Sequence, residues 1–382
     1  MGSETIDVKR YDRQIRLWGL DTQRGLLGTR ILLLRATGLC NEAAKNLVLA
    51  GVGHVSIQDP GIVSADDLAS GAVFSMRKTD VGRNRAEAMV EHLQPLNPSV
   101  DMAAVTQPLA LLSDDFLCQF QYIISTHGIE GVHEVGECVT RLSSGTAARA
   151  DVSRKRPRDA TGDADGAGAK GSNGAHVLVP TRKAEQLPKL LAAGAPGMFG
   201  FCALDLLHHQ HTVVTKRVTD AKAGEAGAAP APLRYQVAYP TIADAFGVAW
   251  SSLQPRSPRL YCALQLLLAA KSPDEVEALR LAKLAEAGLN ETFVTPALSA
   301  EFVAKVGKNA STELAPVCAI MGGMVAAEVI KIISGKDAPI NNLFLFDAAT
   351  TSDAAGVIAR YGPAFETEQG VNKGLPQLIA EE

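Results

Sequence analysis

A short loop near the start of the chain holds the first residues whose types and spacing bear on chemistry. It reads Arg-Ala-Thr-Gly-Leu-Cys over residues 35–40, in the place where nucleotide-binding folds carry a glycine-rich loop. A loop that cradles phosphate needs glycine where the backbone turns tightly and where it approaches the phosphate closely. Arg35 and Thr37 place side chains at those positions. The loop therefore predicts a nucleotide fold whose own phosphate site is degenerate.

The hydrophobic pattern around this loop predicts the strand and the helix that position it. Residues 31–34 form an apolar run typical of a buried strand, and residues 41–50 favour a helix. A second strand is expected at residues 54–58, followed by the acidic Asp59. Asp59 leaves open a dehydrogenase that holds a ribose there, although the degraded loop counts against it. On this segment alone, a strand and a helix without nucleotide ancestry explain the pattern equally well.

The remaining pattern extends this unit into a parallel sheet with helices on both faces, an α/β Rossmann-like fold. The helical spacing of Ala86, Met89, Val90 and Leu93 predicts a helix within residues 82–96. Further helices are predicted at residues 258–270 and 274–287. The predicted strands are residues 30–34, 54–58, 100–105, 121–125, 212–214, 235–237 and 342–346, the last followed by Asp347.

Composition narrows the class of protein before any further motif is used. The chain has 382 residues, enough for a large core, and 47% of them are hydrophobic, as in a globular protein. A formal net charge of -4 gives no reason to expect nucleic acid or an anionic membrane as a partner. The six cysteines include no C-x-x-C pair, which argues against a zinc ribbon and favours a reducing compartment. No secretory signal is visible, so we expect an intracellular protein.

A change of composition divides the chain. Residues 144–190 begin with small and charged residues and almost no large apolar side chain, and we expect this insertion to be disordered. Residues 1–143 and 191–382 are then the N-terminal and C-terminal parts of one domain. A second, shorter insertion is expected at residues 220–232. The basic run at residues 154–158 is interpreted either as a nuclear import signal or as a solvated charge run; the protein is expected in the nucleus and also in the cytoplasm.

An apolar stretch at residues 315–333 must be compared with a membrane span. It contains Glu328 well inside it and the pair Gly322 and Gly323 near its middle. A carboxylate at that depth fits a bilayer poorly. A core helix that packs closely through its glycines and ends at Gly335 is therefore the better prediction, and no membrane partner is expected.

The second concentrated signal is the segment Tyr-Asp-Arg-Gln-Ile-Arg-Leu-Trp-Gly at residues 11–19. Ile15 and Trp18, three residues apart, form one apolar face of a predicted short helix and leave Arg13 free to point elsewhere. By composition alone, a packed surface helix with salt bridges explains the same residues. The motifs that follow along the chain decide between these interpretations.

Taken in order, the motifs resemble those of the activating enzymes of ubiquitin and ubiquitin-like modifiers, and more closely the smaller, non-catalytic subunits of SUMO-activating enzymes. The opening motif at residues 11–19 is highly specific, and supporting segments follow in the family's order. These are residues 45–53 (KNLVLAGVG), 81–88 (VGRNRAEA), 96–98 (LNP), 315–323 (APVCAIMGG), 328–331 (EVIK) and 341–347 (NNLFLFD). The resemblance implies an adenylation fold of the ThiF type. The insertion at residues 144–190 has no counterpart in that pattern.

Such enzymes bind ATP and magnesium, form an acyl-adenylate with the C-terminal glycine of the modifier, and pass the modifier to a cysteine. The resemblance implies that this chain lacks the parts that adenylation needs. Residues 35–40 stand at the glycine loop, the segment Ala-Ser-Gly at 69–71 stands at a family Asn-Arg-Gln segment, and His127 stands at the magnesium aspartate. Histidine is a poor ligand for Mg²⁺, and residues 69–71 offer phosphate neither a guanidinium nor an amide side chain. We therefore expect no cofactor and no metal on this chain, with ATP and Mg²⁺ in the partner subunit.

The catalytic cysteine is also expected on the partner, because no cysteine here lies in a recognisable thioester motif. Four cysteines lie in apolar or helical contexts typical of core residues, and nothing near the other two suggests a lowered pKa. The four are Cys40, Cys118, Cys262 and Cys318, and the two are Cys138 and Cys202.

The resemblance implies that one catalytic contribution survives. In the resembled subunits, the arginine of the opening motif reaches across the dimer toward the phosphates of ATP on the other subunit, and here that residue is Arg13. A guanidinium supplied in trans neutralises phosphate charge through a fork of donors that needs no proton exchange. We therefore expect a heterodimer with the catalytic subunit, and contact with a SUMO-type modifier through the complex.

Other assignments stay open on the sequence. The regulatory subunit of the NEDD8-activating enzyme has a similar opening motif and a degenerate loop, but is usually longer. A self-sufficient homodimeric adenylyltransferase of the sulfur-carrier activating type needs a working loop and often carries C-x-x-C motifs. The last alternative is a binding module without any enzyme partner.

Overall fold

Apolar runs and amphipathic stretches alternate along the chain and form the strands and helices of an α/β fold. The computed structural model describes residues 6–69, 71–154, 187–213, 233–253, 257–294, 296–348, 357–361 and 377–378. Its helices are α1 (Asp12–Trp18), α2 (Leu20–Leu27), α3 (Gly38–Ala50), α4 (Ala65–Ala69), α5 (Arg85–Leu93), α6 (Asp114–Leu117), α7 (Gly128–Arg154), α8 (Ile242–Phe246), α9 (Arg259–Ala269), α10 (Glu275–Ala287), α11 (Ala300–Lys308) and α12 (Ala315–Ser334). Its strands are β1 (Arg30–Leu34), β2 (His54–Gln58), β3 (Asp101–Val105), β4 (Tyr122–Ser125), β5 (Lys189–Gly194), β6 (Phe199–Asp205), β7 (His208–Val213), β8 (Leu233–Ala238), β9 (Leu343–Asp347), β10 (Val357–Tyr361) and β11 (Gln377–Leu378).

These strands form two sheets. The larger sheet has the order β10-β9-β6-β5-β4-β1-β2-β3, and its strands from β5 to β3 run parallel to one another. The strands β6, β9 and β10 continue that sheet in antiparallel orientation. The smaller, antiparallel sheet has the order β11-β8-β7. The predicted parallel sheet is confirmed, and strands from both sides of residues 155–186 contribute to it.

The strand β1 shows why the larger sheet is covered on both faces. Ile31, Leu32, Leu33 and Leu34 are all fully buried. Ile31 and Leu33 pack in one apolar cluster with α3, α5 and α12. Leu32 and Leu34 pack in a second cluster with α7, α9 and α11. Because side chains alternate between the faces of a strand, a continuous apolar run requires a layer of helices on each side.

The elements around the degenerate loop lie close to their predicted positions. The bounds of β1 and β2 match, whereas α3 begins at Gly38, three residues before the predicted start. The earlier start follows from Thr37, whose hydroxyl accepts a hydrogen bond from the amide of Cys40 at 3.1 Å and caps the helix. The helix α5 is shorter than predicted because Asn84 caps its start and Pro95 follows its last turn.

The predicted insertion at residues 144–190 is described only at its ends. The helix α7 continues to Arg154, past the predicted boundary at residue 143, and β5 begins at Lys189. Alanine-rich residues extend an existing helix easily, because propagation is far less costly than nucleation. Residues 155–186, which include most of the basic run, lie outside the described residues, and so does the second predicted insertion at 220–232.

Among the described residues, one helix, α12, is long and apolar enough to cross a membrane. Half of its apolar window is buried inside the protein. Glu328 is 2% exposed and accepts hydrogen bonds from Lys331 Nζ at 2.5 Å and from the amide of Ile340 at 2.8 Å. Gly335 ends the helix in a left-handed conformation, with φ of 61°. The helix therefore has the packing of a core helix, as the sequence predicted.

Candidate functional site

A cleft at the carboxyl ends of β1, β2 and β4 contains the loop that the sequence singled out. The strand β1 lies between β2 and β4, and α/β sheets bind ligands where the strand order reverses in this way. The cleft has a volume of about 410 Å³, and its lining includes Arg35, Thr37, Asp59, His127 and Glu313. The fold thus brings together the loop and His127, which the sequence had assigned to one degenerate site.

Arg35 takes the backbone conformation that glycine favours, with φ of 70°. This left-handed conformation costs a non-glycine residue about 1–2 kcal/mol. The guanidinium lies 2.8 Å from Glu134 Oε1, and His127 Nδ1 lies 3.2 Å from the same oxygen. Burial alone would raise the pKa of Glu134, but hydrogen bonds from His127 and Arg35 outweigh it and lower that pKa. The side chain of Arg35 is therefore committed to a carboxylate of its own chain.

The amides at the start of α3 are occupied by another carboxylate. Gly38 N donates to Glu313 Oε2 at 2.6 Å, and Leu39 N donates to Glu313 Oε1 at 3.2 Å. The next amide, of Cys40, is held by the hydroxyl of Thr37. Free amides at a helix N-terminus are the groups that bind phosphate in nucleotide folds. Glu313 therefore occupies the position that a phosphate would take.

At the start of α3, the amide donors are occupied, and the space beside them is also filled by neighbouring side chains. A Cβ added to Gly38 would lie 2.6 Å from Ala72 Cβ and 2.9 Å from Glu313 Oε2. Burial raises the pKa of Glu313, and the hydrogen bonds from Gly38 and Leu39 partly offset that effect. A phosphate group does not fit here unless the carboxylate first leaves.

Sequence reasoning missed Glu313, although it is the residue that completes the site. It lies 275 positions from Gly38, so no local spacing connects the two. The one signal in the sequence is an acidic residue that stands two positions before a long apolar helix.

Two further charged side chains of the cleft are bound within the protein. Asp59 is 3% exposed and accepts hydrogen bonds from Ala36 N at 2.9 Å and Gly61 N at 2.7 Å. This carboxylate is therefore not free to hold a ribose. Arg85, part of the segment at residues 81–88 that carries the family resemblance, lines the cleft, and its Nη2 lies 2.9 Å from Asp67 Oδ1.

The other positions at which the sequence predicted missing catalytic residues, residues 69–71 and His127, lie beside the same cleft. Ala69 ends α4, and Gly71 has φ of 64°; Ser70 lies outside the described residues. His127 contacts Glu134, as described above. Within the part of the chain that the structure describes, no group of three or more His, Cys, Asp or Glu side chains is placed to hold a metal ion.

The six cysteines are free thiols, and all except the partly exposed Cys118 are buried. Burial raises the pKa of Cys138 to about 11 and that of Cys262 to about 12. Burial also raises the pKa of the other buried thiols, which are Cys40, Cys202 and Cys318. Because the thiolate is the nucleophile, these five residues have the character of core residues rather than of catalytic cysteines.

Arg13 lies on α1, away from the cleft. Tyr11, just before α1, packs against Gly51, which ends α3, whereas the cleft lies at the start of α3. A helix of 13 residues is about 20 Å long, so α1 and the cleft are at opposite ends of α3. Arg13 is exposed and has no hydrogen-bond or ion-pair partner among the described residues. Its guanidinium makes no contact of its own among the described residues, and it is not part of the cleft of its own chain.

Comparison with known proteins finds a family model in the first part of the chain and a similar solved structure. The ThiF family model matches residues 11–127, which run from the opening motif to two residues past the end of β4. The chain is also similar to a solved structure, E. coli MccB with MccA-N7isoASN, with 12% identity and a TM-score of 0.48, covering 94% of this chain and 73% of that one.

Similarity to curated proteins extends along most of the chain. The human SUMO-activating enzyme subunit 1 is 30% identical to it, over 95% of this chain and 97% of that protein. The DNA damage tolerance protein rad31 of Schizosaccharomyces pombe is 28% identical, over 91% of this chain and 97% of that protein. This chain therefore belongs to the family of SUMO-activating enzyme subunit 1 proteins, and the resemblance found in the sequence is confirmed.

Proposed function

We propose that this chain is the non-catalytic subunit of a heterodimeric SUMO-activating enzyme. In this proposal it supports the ATP-dependent adenylation of the modifier on its partner, and the modifier then passes to a catalytic cysteine of that partner. ATP and Mg²⁺ are bound by the partner. The observation that carries the proposal is the carboxylate of Glu313 on the amides of Gly38 and Leu39.

The other charges of the cleft support the same proposal. A triphosphate needs free cations, but Arg35 is paired with Glu134 and Arg85 is paired with Asp67. A nucleotide would have to break both ion pairs and expel Glu313. Binding would therefore cost two partly buried ion pairs in addition to the two hydrogen bonds of Glu313. We infer that this chain holds neither ATP nor a metal ion.

The thiols and Arg13 complete the proposal. Burial holds five cysteines as neutral thiols, so the thioester is assigned to the partner. Arg13, exposed and unpaired among the described residues, is assigned to the nucleotide of the partner. A guanidinium presents a rigid fork of donors and stays charged at any physiological pH, which suits it to a phosphate held by another subunit.

The proposed compartments are the nucleus and the cytoplasm. The basic run at residues 154–158 supports import, because exposed clusters of this kind serve as import signals. Replacing these five residues by serine in a fluorescent fusion tests the assignment. Unchanged nuclear signal would mean that the run only keeps the chain soluble or that a partner carries the protein into the nucleus.

The proposed function is tested by ATP–pyrophosphate exchange with a SUMO-type modifier. The chain alone, a candidate catalytic subunit alone and their mixture are compared. Exchange in the mixture that exceeds the sum of the separate subunits supports the proposal. Exchange by this chain alone would instead favour the self-sufficient adenylyltransferase.

The same assay distinguishes a SUMO-activating enzyme from a NEDD8-activating enzyme. The mixture is offered a SUMO-type modifier or NEDD8, each with the catalytic subunit that corresponds to it. Exchange with the NEDD8 pair and none with the SUMO pair would assign the chain to the NEDD8-activating enzyme. A chain that binds neither catalytic subunit would be a binding module of another kind.

A further inference from the structure

The short helix α1 carries Arg13 but has no buried residue of its own. A helix of seven residues is marginal in isolation, because nucleation is unfavourable. The position of Arg13 therefore depends on contacts with neighbouring elements: Gln14 Nε2 donates to Leu49 O at 3.4 Å from the middle of the helix, and stronger contacts hold its two ends.

At the N-terminal end the contact is made by Tyr11. This residue is 2% exposed, and its hydroxyl accepts a hydrogen bond from Asn97 Nδ2 at 2.8 Å. The ring lies against Gly51, where an added Cβ would be 2.6 Å from Tyr11 Cζ. Gly51 has φ of 81° and ends α3. The start of α1 is thus fixed against the last turn of α3.

Asn97 is the residue that joins these elements. It is 1% exposed, and its Nδ2 also donates to Val48 O, in the last turn of α3, at 2.9 Å. Its Oδ1 accepts from Arg10 Nη1 at 3.0 Å and from Ser99 N at 3.3 Å. One buried amide therefore ties α3 to two residues that directly precede α1.

At the C-terminal end a second contact holds the helix. The carbonyl oxygen of Trp18 accepts hydrogen bonds from Lys336 Nζ at 2.5 Å and from Thr22 Oγ1 at 2.7 Å. Because both ends are held, the backbone of α1 has little freedom to rotate. The side chain of Arg13 therefore projects from a defined position on the surface.

We propose that Asn97 and Tyr11 are positioning residues for Arg13, so that the amide of Asn97 sets where the guanidinium meets the partner's nucleotide. This inference rests on the proposed action of Arg13 in trans. A charged group that stabilises a transition state must be placed accurately, and a displacement of about 1 Å costs up to about a hundredfold in rate. Neither Asn97 nor Tyr11 touches the reacting atoms.

The first variant is Tyr11→Phe, which removes the hydroxyl and keeps the ring. In the full complex we expect kcat of ATP–pyrophosphate exchange to fall roughly fivefold, because the start of α1 loses its hydrogen bond to Asn97 and is held less accurately. The dissociation constant of the two subunits and the KM for the modifier should be unchanged. Asn97→Ala should lower kcat further. The matched control is Arg24→Ala on α2, an exposed residue paired with Asp21, which should leave exchange unchanged.

A double-mutant cycle with Arg13→Ala separates positioning from general stability. If Tyr11 acts through Arg13, Tyr11→Phe has no further effect once Arg13 is alanine. The same fivefold loss in both backgrounds would overturn the inference. The inference would also be wrong if Tyr11→Phe and Asn97→Ala were fully active while Arg13→Ala was impaired. That result would leave the proposed function intact. Unchanged exchange by Arg13→Ala itself would refute the action in trans.

Discussion

The carboxylate of Glu313 lies 2.6 Å from the amide nitrogen of Gly38, 275 positions away along the chain. This contact joins the segment just before α12 to the first residue of α3. The same two helices meet again at Gly322, where an added Cβ would lie 2.5 Å from Glu42 Cβ. The position that holds phosphate in a working nucleotide fold is therefore part of the framework here.

We expect Glu313→Ala to lower the free energy of unfolding by about 2 kcal/mol, because two amides at the start of α3 lose their acceptor. Acetate or inorganic phosphate should restore part of this loss by binding to the freed amides. Glu313→Gln keeps one acceptor and should lose less. Urea denaturation with and without the anions measures these effects.

The matched control for this series is Glu301→Ala, which removes an exposed carboxylate from the first turn of α11. Its stability should respond to the anions as the wild type does. Equal stabilisation of the wild type and Glu313→Ala by phosphate would show that the amides are not freed by the substitution.

Restoring glycine at position 35 is not expected to restore nucleotide binding. Arg35→Gly removes the strain of a left-handed arginine, which is about 1–2 kcal/mol, but leaves Glu134 without its guanidinium. We expect a net loss of stability that Glu134→Gln in the same background partly recovers. Calorimetric titration of Arg35→Gly with ATP and Mg²⁺ should show no binding, since Glu313 still occupies the amides. Heat of binding at submillimolar ATP would contradict this expectation.

The two adjacent glycines of α12 should respond in opposite directions to the same substitution. A Cβ at Gly322 would lie 2.8 Å from Ala43 N, whereas a Cβ at Gly323 meets nothing within 4 Å. Gly322→Ala should therefore lower the free energy of unfolding by about 2 kcal/mol through overpacking. Gly323→Ala should raise it by up to about 1 kcal/mol through higher helix propensity. Chemical denaturation of the pair checks both signs, and a loss at both positions would show that α12 has no open face at Gly323.

Acid should destabilise the protein through His209. Burial, the nearby charge of Lys189 and the neighbouring His211 lower the pKa of His209 to about 3 from an ordinary value of 6.5. Between these two pH values, His209 is protonated in the unfolded chain but not in the folded chain. The free energy of unfolding therefore falls as the pH drops from 6.5 toward 3. His209 and His211 stack at 6.0 Å, and His211 stacks on Tyr235. Among the described residues, Lys189 and His211 are the charged groups that lower the pKa of His209, whereas the carboxylate of Asp337 acts on His211.

The test compares the pH dependence of the melting temperature for the wild type, His209→Phe and His208→Gln. The phenylalanine keeps a stacked ring without a titrating group. It should therefore reduce the fall in melting temperature between pH 6.5 and pH 4, which we call the acid limb. His208 is an exposed neighbour on β7, and its replacement should leave that limb unchanged. An identical acid limb in His209→Phe would assign the destabilisation to other groups.

Much of the fold near the degenerate loop was predictable from local pattern. The apolar run at residues 31–34 indicated a strand buried on both faces, and it is fully buried. Glu328 inside an apolar helix indicated packing against protein rather than lipid, and its carboxylate is held by Lys331 and Ile340. These features follow from periodicity and from the desolvation of charge, which act within a few residues of one another.

The candidate site was predictable only in part. The sequence by itself determined that the loop at residues 35–40 lacks the glycines of a phosphate cradle and that Arg13 belongs to a motif on a predicted short helix; that Arg13 has no partner among the described residues was decided by the structure. Only the tertiary structure decided that Glu313 fills the cradle and that Asn97 holds the start of α1. Both residues act on partners that are far away in the sequence, and hydrogen bonds between distant residues leave no period or spacing that a single sequence can reveal. The contacts exist because the packing of α12 on α3, and of Tyr11 on Gly51, brings these donors and acceptors within 3 Å.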